Sequence, residues 1–98
     1  MRPIPQKLRK QLSEDPEYKV CIIKDQIQYG QCHGKITFQH ALMYAGRQIQ
    51  ERFAILPMCV RHHLGDLHNQ RRDEIIAMRR ATEEDKLKYP RLQWNIYS

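Results

Sequence analysis

The stretch from Cys59 to His68 constrains the fold of this chain most, because it concentrates side chains that ligate metals. Cys59 and His62 form a Cys-x2-His pair that follows an apolar run, residues 54–58, and precedes a predicted helix over residues 69–81. A pair of this spacing at the junction of a strand and a helix is typical of one half of a structural zinc site. The stretch therefore predicts a metal-stabilised turn.

Two further cysteines supply the other half of such a site. Cys21 and Cys32 are spaced more widely than the usual Cys-x2-4-Cys pair, so their spacing alone is a weak indication. With Cys59 and His62 they complete a Cys3His set, which is the ligand number that tetrahedral zinc requires. The alternatives are that Cys21 is an ordinary buried cysteine and that His33 replaces Cys32 as a ligand.

The charge balance favours a polyanionic partner. The 98 residues include 17 Lys and Arg against 11 Asp and Glu, which gives a formal net charge of +6. Nucleic acid is the expected partner rather than a membrane, because no basic stretch carries a continuous apolar face. The alternative is a basic protein without such a partner.

The chain shows neither a secretory leader nor an apolar run near the roughly 18 residues that span a bilayer. We therefore expect no membrane association and a cytoplasmic location. In a reducing compartment, cysteine together with histidine indicates a metal site rather than a disulfide.

Hydrophobic periodicity predicts an α+β chain. Residues 34–40 alternate apolar and polar side chains as a strand does. Residues 54–58 form a second strand, short or at an edge because Pro57 lacks a backbone donor. Between them, residues 41–53 carry apolar side chains at near-helical spacing that Gly46 interrupts, which predicts a short helix within a loop.

Two helices flank this central region. Residues 6–12 predict a short helix that ends ahead of Pro16, since the residue before proline avoids the helical conformation. Asn69 is a suitable N-cap for a helix through Ala81. The expected core face of that helix is Ile75, Ile76 and Met78.

The two ends of the chain carry weaker signals. Thr82 is the expected N-cap of a last helix that ends before Tyr89, because three acidic residues follow it and favour the helix dipole. We expect residues 1–5 to be extended. Trp94 and Tyr97 are expected to pack back on the core.

Arginines from the loops and the third helix are candidate contacts to a nucleic-acid backbone, which is bound through phosphate charge. These candidates are Arg47, Arg52, Arg61, Arg71 and Arg72. The arginines of the helix, which are Arg71, Arg72, Arg79 and Arg80, are expected to point mostly outward. The alternative is that such residues only solvate a polar face.

The order of these elements resembles the core of the HNH (His-Me finger) endonucleases, a ββα-metal unit. The likeness covers roughly residues 21–81 and is carried by Phe38-Gln39-His40-Ala41, Ile55-Leu56-Pro57-Met58-Cys59-Val60-Arg61-His62-His63 and His68-Asn69. Tyr44-Ala45-Gly46-Arg47-Gln48-Ile49 followed by the Cys-x2-His-His turn is similar to small members encoded by bacteriophages and prophages. The resemblance would then place the protein in the cytoplasm of a bacterial host cell.

The resemblance implies a small ββα-metal fold with a zinc knuckle and flanking helices. It implies one HNH-like domain over residues 1–98. An N-terminal arm and helix would occupy residues 1–20. The zinc-stabilised core would occupy residues 21–81, and a C-terminal helix and tail residues 82–98.

The resemblance also implies a role for each matching side chain. His40 would be the general base that activates water for attack on a phosphodiester. His63 would ligate a catalytic divalent metal, and His68 would complete that site or contact phosphate. The structural zinc ligands would be Cys21, Cys32, Cys59 and His62. The alternatives are that His40 only bonds the backbone at a strand end, that His63 is a second zinc ligand, and that His68 has no partner.

Two positions depart from the family pattern. Gln39 stands where the family commonly has Asp or His, and Ala54 stands near its name-giving Asn. A site made mainly of imidazole favours a transition metal such as Mn, Ni or Co over Mg. Alternatively, a carboxylate from elsewhere supplies the missing ligand, and Asp66 is the nearest candidate.

These departures leave two functions open. The first is a metal-dependent DNA endonuclease of HNH type with little sequence preference. The second is a zinc-stabilised nucleic-acid-binding or adaptor protein that keeps the fold without the catalysis. The composition does not indicate an oligomeric state.

Overall fold

The computed structural model describes residues 4–24, 26–92 and 94. The helices are α1 (Gln6–Glu14), α2 (Val60–His63), α3 (Gln70–Arg80) and α4 (Glu83–Lys88), and the strands are β1 (Ile36–His40), β2 (Met43–Tyr44), β3 (Arg47–Gln48) and β4 (Ile55–Cys59). Short 3-10 turns cover Pro16–Lys19, Ile27–Tyr29 and Arg52–Ala54. The predicted α+β class is confirmed. The predictions for residues 1–3 and for Tyr97 lie outside the described residues.

The centre of the fold is the antiparallel pair of β1 and β4, in which Ile36 lies opposite Cys59 and His40 lies opposite Ile55. Every residue of β4 is buried, which explains its continuous apolar sequence. The missing N–H of Pro57 costs no hydrogen bond to β1. The N and C=O of a strand residue face the same side, and the Pro57 carbonyl faces away from β1, where it accepts from the Ile22 N–H at 2.8 Å.

The two faces of this sheet are covered by different parts of the chain. Residues opposite each other share a face, so Phe38 and Ile55 lie on one side. There they pack with Leu12 and Tyr18 from the N-terminal region. On the other side Leu56 and Met58 join the larger core cluster, to which α3 contributes Ala77 and Met78. The sheet is thus sandwiched between the N-terminal region and α3.

The helix predicted within residues 41–53 is wrong, because the segment forms a β-hairpin instead. Strands β2 and β3 pair antiparallel, with Met43 opposite Gln48. The turn between them has Ala45 at φ 51° and Gly46 at φ 80°, both left-handed, which is the backbone of a two-residue hairpin turn. The apolar side chains at helical spacing mark the buried flanks of the hairpin, while Ala45 at its tip is exposed.

The predicted N-caps are confirmed. The Asn69 side chain accepts a hydrogen bond from the Arg72 N–H at 3.0 Å. Thr82 and Asp85 form a reciprocal capping box at the start of α4. The first helix runs two residues beyond the predicted end, to Glu14, and Asp15 then caps the 3-10 turn that begins at Pro16.

The C-terminal segment returns to the core as far as it is described. The Trp94 indole N–H donates to the Tyr89 carbonyl at 3.0 Å, and its ring lies 6.1 Å from that of Phe53. The predicted packing of Trp94 is therefore confirmed. No helix in the described ranges is long and apolar enough to cross a bilayer.

A buried hydroxyl connects three separate segments. The Tyr18 hydroxyl lies 2.7 Å from the carbonyls of both Arg52 and Ile55 and accepts from the Arg80 guanidinium at 2.6 Å. Arg80 therefore points inward, contrary to the prediction. Burial raises the pKa of Tyr18, although the hydrogen bond from Arg80 opposes the rise. The hydroxyl therefore stays protonated and donates its hydrogen bond to a carbonyl.

We predict that Tyr18→Phe destabilises the fold by about 1–3 kcal/mol, because it removes a buried hydroxyl that donates to a carbonyl and accepts from Arg80. Urea denaturation measures the change. Tyr44→Phe is the matched control, since its hydroxyl makes no hydrogen bond to any described residue. Equal denaturation midpoints for the two variants would contradict the role assigned to Tyr18.

Candidate metal centre

Four side chains from three segments converge at one end of the sheet. The ligand atoms of Cys21, Cys32, Cys59 and His62 all lie within 4.8 Å of one another. A tetrahedral zinc ion with Zn–S bonds of about 2.3 Å spaces its ligands by roughly 3.8 Å, so this Cys3His cluster can hold a metal such as zinc. His33 is exposed and outside the cluster, so the preference for Cys32 is confirmed.

The junction of β4 and α2 supplies two of the four ligands. Cys59 ends the buried strand and stands immediately before α2, so His62 follows it after one helical turn. This spacing places the Cys59 Sγ 3.0 Å from the His62 Nδ1. The Cys21 Sγ lies 4.0 Å from the same nitrogen. The local turn therefore aims both side chains at one point.

The backbone fixes which nitrogen of His62 faces the cysteines. The His62 Nε2 lies 2.8 Å from the Tyr29 carbonyl, which can only accept a hydrogen bond. The Nε2 therefore carries the proton, and the Nδ1 presents its lone pair to the sulfur atoms. A second hydrogen bond of this kind is the usual support of a metal-ligating imidazole.

Without a bound cation, the thiols of Cys59 and Cys32 have widely different pKa values. Burial alone raises the pKa of Cys59, but hydrogen bonds from the backbone N–H groups at His33 and His62 contribute to lowering it to about 6. Burial and the neighbouring Cys21 and Cys59 raise the pKa of Cys32 to about 12. A bound divalent ion removes this conflict, because it deprotonates the thiols that coordinate it.

Arg72 supports the cluster from behind and is not a surface residue. Its side chain is 6% exposed, and it pairs with Asp73, which is fully buried. It also donates to the carbonyls of Leu67 at 2.9 Å and His62 at 3.2 Å, and its guanidinium lies over the Tyr29 ring. The prediction that Arg72 points outward to nucleic acid is therefore wrong.

His63 faces away from the Cys3His cluster toward β1. Its Nδ1 lies 2.7 Å from the Thr37 hydroxyl, and that hydroxyl also lies 2.8 Å from the Met58 carbonyl. The single hydroxyl proton goes to the carbonyl, so the His63 Nδ1 donates and its Nε2 is left unprotonated. The unprotonated nitrogen is therefore Nδ1 in His62 and Nε2 in His63. His63 is not a second ligand of the Cys3His cluster.

His40 and His68 lie near His63. Burial, and then the charges of His68 and His40, lower the pKa of His63, while Asp73 opposes the shift. His40 is half-buried at the end of β1, and His68 is exposed. Within the described ranges, the three histidines do not converge as closely as the Cys3His ligands do.

Three supporting residues were missed by sequence reasoning. Thr37 holds His63, Gln50 accepts from the His40 Nε2 at 2.8 Å, and Asp73 lies buried beside His63. Strand alternation places Thr37 on the same face as Gln39, and helical spacing places Asp73 one turn before the buried Ala77. Strand alternation and helical spacing were therefore the sequence patterns that could have identified Thr37 and Asp73.

The remaining arginine candidates lie on the surface, and Arg52 and Arg61 form ion pairs there. Arg52 contacts Asp15 and Glu17, and Arg61 contacts Asp66 at 3.0 Å. Asp66 is thereby engaged with Arg61 on the surface, where its side chain is 69% exposed. Arg47 and Arg71 are exposed.

Comparison with models of known families gives no match, and no curated protein or solved structure matches the chain. The resemblance to the HNH endonucleases therefore rests on the matching residues of the sequence.

We predict that Arg72→Gln lowers the free energy of unfolding by about 3–5 kcal/mol, because it leaves the Asp73 carboxylate buried without its cation. Urea denaturation in zinc-containing buffer measures the loss. Arg71→Gln, at an exposed position of the same helix, should change stability by no more than about 0.5 kcal/mol. An Arg72→Gln midpoint equal to that of the parent protein would overturn this assignment.

Proposed function

We propose that the chain is a metal-dependent DNA endonuclease of HNH type, with a structural zinc ion in the Cys3His cluster. The observation that supports it most is the opposed arrangement of His62 and His63. His62 presents its Nδ1 to the cysteines, whereas the His63 ring is held by the Thr37 hydroxyl and is affected by the charges of His68 and His40. One short turn therefore serves a structural site and a separate reactive site.

The elements around this turn support the proposal. An antiparallel strand pair, β1 and β4, leads into α2 and then α3, which packs on one face of the pair. This is the element order of a ββα-metal unit. The proposed base, His40, ends the first strand of that pair and His63 ends α2.

His40 is suited to act as the general base. The Gln50 amide oxygen accepts from its Nε2, so the Nδ1 is the free basic nitrogen. In the proposed reaction this nitrogen takes a proton from the attacking water while Gln50 holds the ring in place. Phosphodiester cleavage then releases one strand end as phosphate and the other as hydroxyl.

His63 and His68 would hold a catalytic divalent metal. A cation bound there supplies positive charge that stabilises the phosphorane and the leaving oxygen. The lowered pKa of His63 keeps its imidazole neutral near pH 7, as a metal ligand requires. The exposed Arg47 and Arg71 are the arginine candidates best placed to contact the DNA backbone.

The non-catalytic alternative is favoured by one observation. Gln39, at the position where the family commonly has a metal-binding Asp or His, is buried at 4% exposure and interacts with Asp73. A neutral amide there is a weaker ligand than a carboxylate. In this alternative the protein binds nucleic acid through the same zinc-stabilised fold and does not cleave it.

We predict that the zinc-loaded protein converts supercoiled plasmid to nicked or linear DNA when Mg, Mn, Ni or Co is added. EDTA should abolish the conversion. His40→Ala should slow cleavage by about 100-fold or more, because it removes the general base. Gel electrophoresis of a time course measures the rates.

His33→Ala is the control, since His33 is exposed and outside the proposed machinery. It should cleave at the parent rate. An absence of conversion with every metal, or equal rates for His40→Ala and the parent, would favour the non-catalytic alternative.

A further inference from the structure

Two buried oxygen atoms beside His63 have no hydrogen-bond donor. They are the Gln39 Oε1 and the Asp73 Oδ2. Gln39 is 4% exposed and Asp73 is 0% exposed, so bulk water does not solvate either side chain. Buried polar atoms are nearly always paired, and an unpaired carboxylate oxygen is particularly unfavourable.

The neighbouring Arg72 does not donate a hydrogen bond to the Asp73 Oδ2. The Arg72 Nε donates to the Asp73 Oδ1 at 2.9 Å. The two terminal nitrogens of Arg72 donate to the carbonyls of Leu67 and His62. The Asp73 Oδ2 is therefore left as an acceptor on the side away from these contacts.

The two orphaned oxygens belong to one local cluster. The Gln39 and Asp73 side chains are neighbours, and Asp73 in turn acts electrostatically on His63. Thr37, which positions His63, and Gln39 lie on the same face of β1 because strand residues alternate. His63 and Asp73 thus both lie near that face, and the Asp73 Oδ2 is there without a donor.

We propose that Asp73, from helix α3, is a ligand of the divalent cation that His63 binds, and that it replaces the carboxylate missing at position 39. This inference rests on the proposed function for the existence of that cation. The Gln39 amide then lies beside the Asp73 carboxylate and adds a neutral oxygen. Imidazole nitrogen together with these two oxygens suits Mn²⁺.

The competing role for Asp73 is purely structural. In that case its pairing with Arg72 holds the start of α3 against the turn that follows His62, and no cation approaches it. The two roles differ in whether changes at Asp73 and Gln39 alter the affinity for a metal.

The test is a Mn²⁺ titration of the full-length, zinc-loaded protein followed by electron paramagnetic resonance. Asp73→Asn keeps the shape of the side chain and should weaken Mn²⁺ binding by more than about ten-fold. Zinc content of one ion per chain confirms that the variant is folded. Asp66→Asn, which removes an exposed carboxylate paired with Arg61, is the matched control and should bind Mn²⁺ as the parent does.

A second variant keeps the test decisive if Asp73→Asn folds poorly. Gln39→Glu places a second carboxylate beside Asp73, so it should tighten Mn²⁺ binding while lowering the thermal midpoint without Mn²⁺. Added Mn²⁺ should restore that midpoint. A structural role predicts a lower midpoint that Mn²⁺ does not restore.

Parent-like Mn²⁺ binding by both variants, or parent protein that binds no Mn²⁺, would overturn the proposal. These results are separate from the fate of the proposed nuclease. A protein that binds Mn²⁺ through Asp73 but leaves plasmid intact would sustain this inference and contradict the catalytic function.

Discussion

The fold depends on bringing three cysteine sulfurs and the His62 Nδ1 within 4.8 Å of one another inside a small protein. A chain of this size buries a limited core, and a metal commonly supplies what the core lacks. Cys21 ends a segment that follows the N-terminal helix, Cys32 lies before β1, and Cys59 ends β4. A cation at this cluster ties the irregular residues between Cys21 and Cys32 to the sheet, where few regular hydrogen bonds would otherwise hold them.

The residues around the cluster connect it to the proposed reactive side. Tyr29 holds the His62 ring, and Arg72 lies over Tyr29 while it binds the His62 carbonyl and Asp73. Asp73 then lies beside Gln39 and His63. Arg72 therefore connects the cluster to Asp73, which acts electrostatically on His63.

The sequence allowed the strands, the capped helices and the Cys3His cluster to be predicted, because strand alternation, N-cap residues and ligand spacing are local patterns. The hairpin at residues 43–48 was missed, since Leu42, Ile49 and Phe53 imitate a helical stripe and Ala45 rarely adopts a positive φ. The inward course of Arg72 and Arg80 was also missed. Arg80 reaches the Tyr18 hydroxyl and the Ile55 carbonyl, which are far away in the chain and which only the tertiary structure brings near. Arg72 turns back to the carbonyls of Leu67 and His62, because the turn before α3 has no regular pattern that would indicate it.

The central claim is that the cluster binds zinc through three sulfurs and one nitrogen. Zinc-edge X-ray absorption of the purified protein, with metal analysis of the same sample, tests it most directly. The account predicts one zinc per chain, with three sulfur neighbours at about 2.3 Å and one nitrogen at about 2.0–2.1 Å. Protein that is folded without zinc, or a zinc shell made only of nitrogen and oxygen, would contradict it.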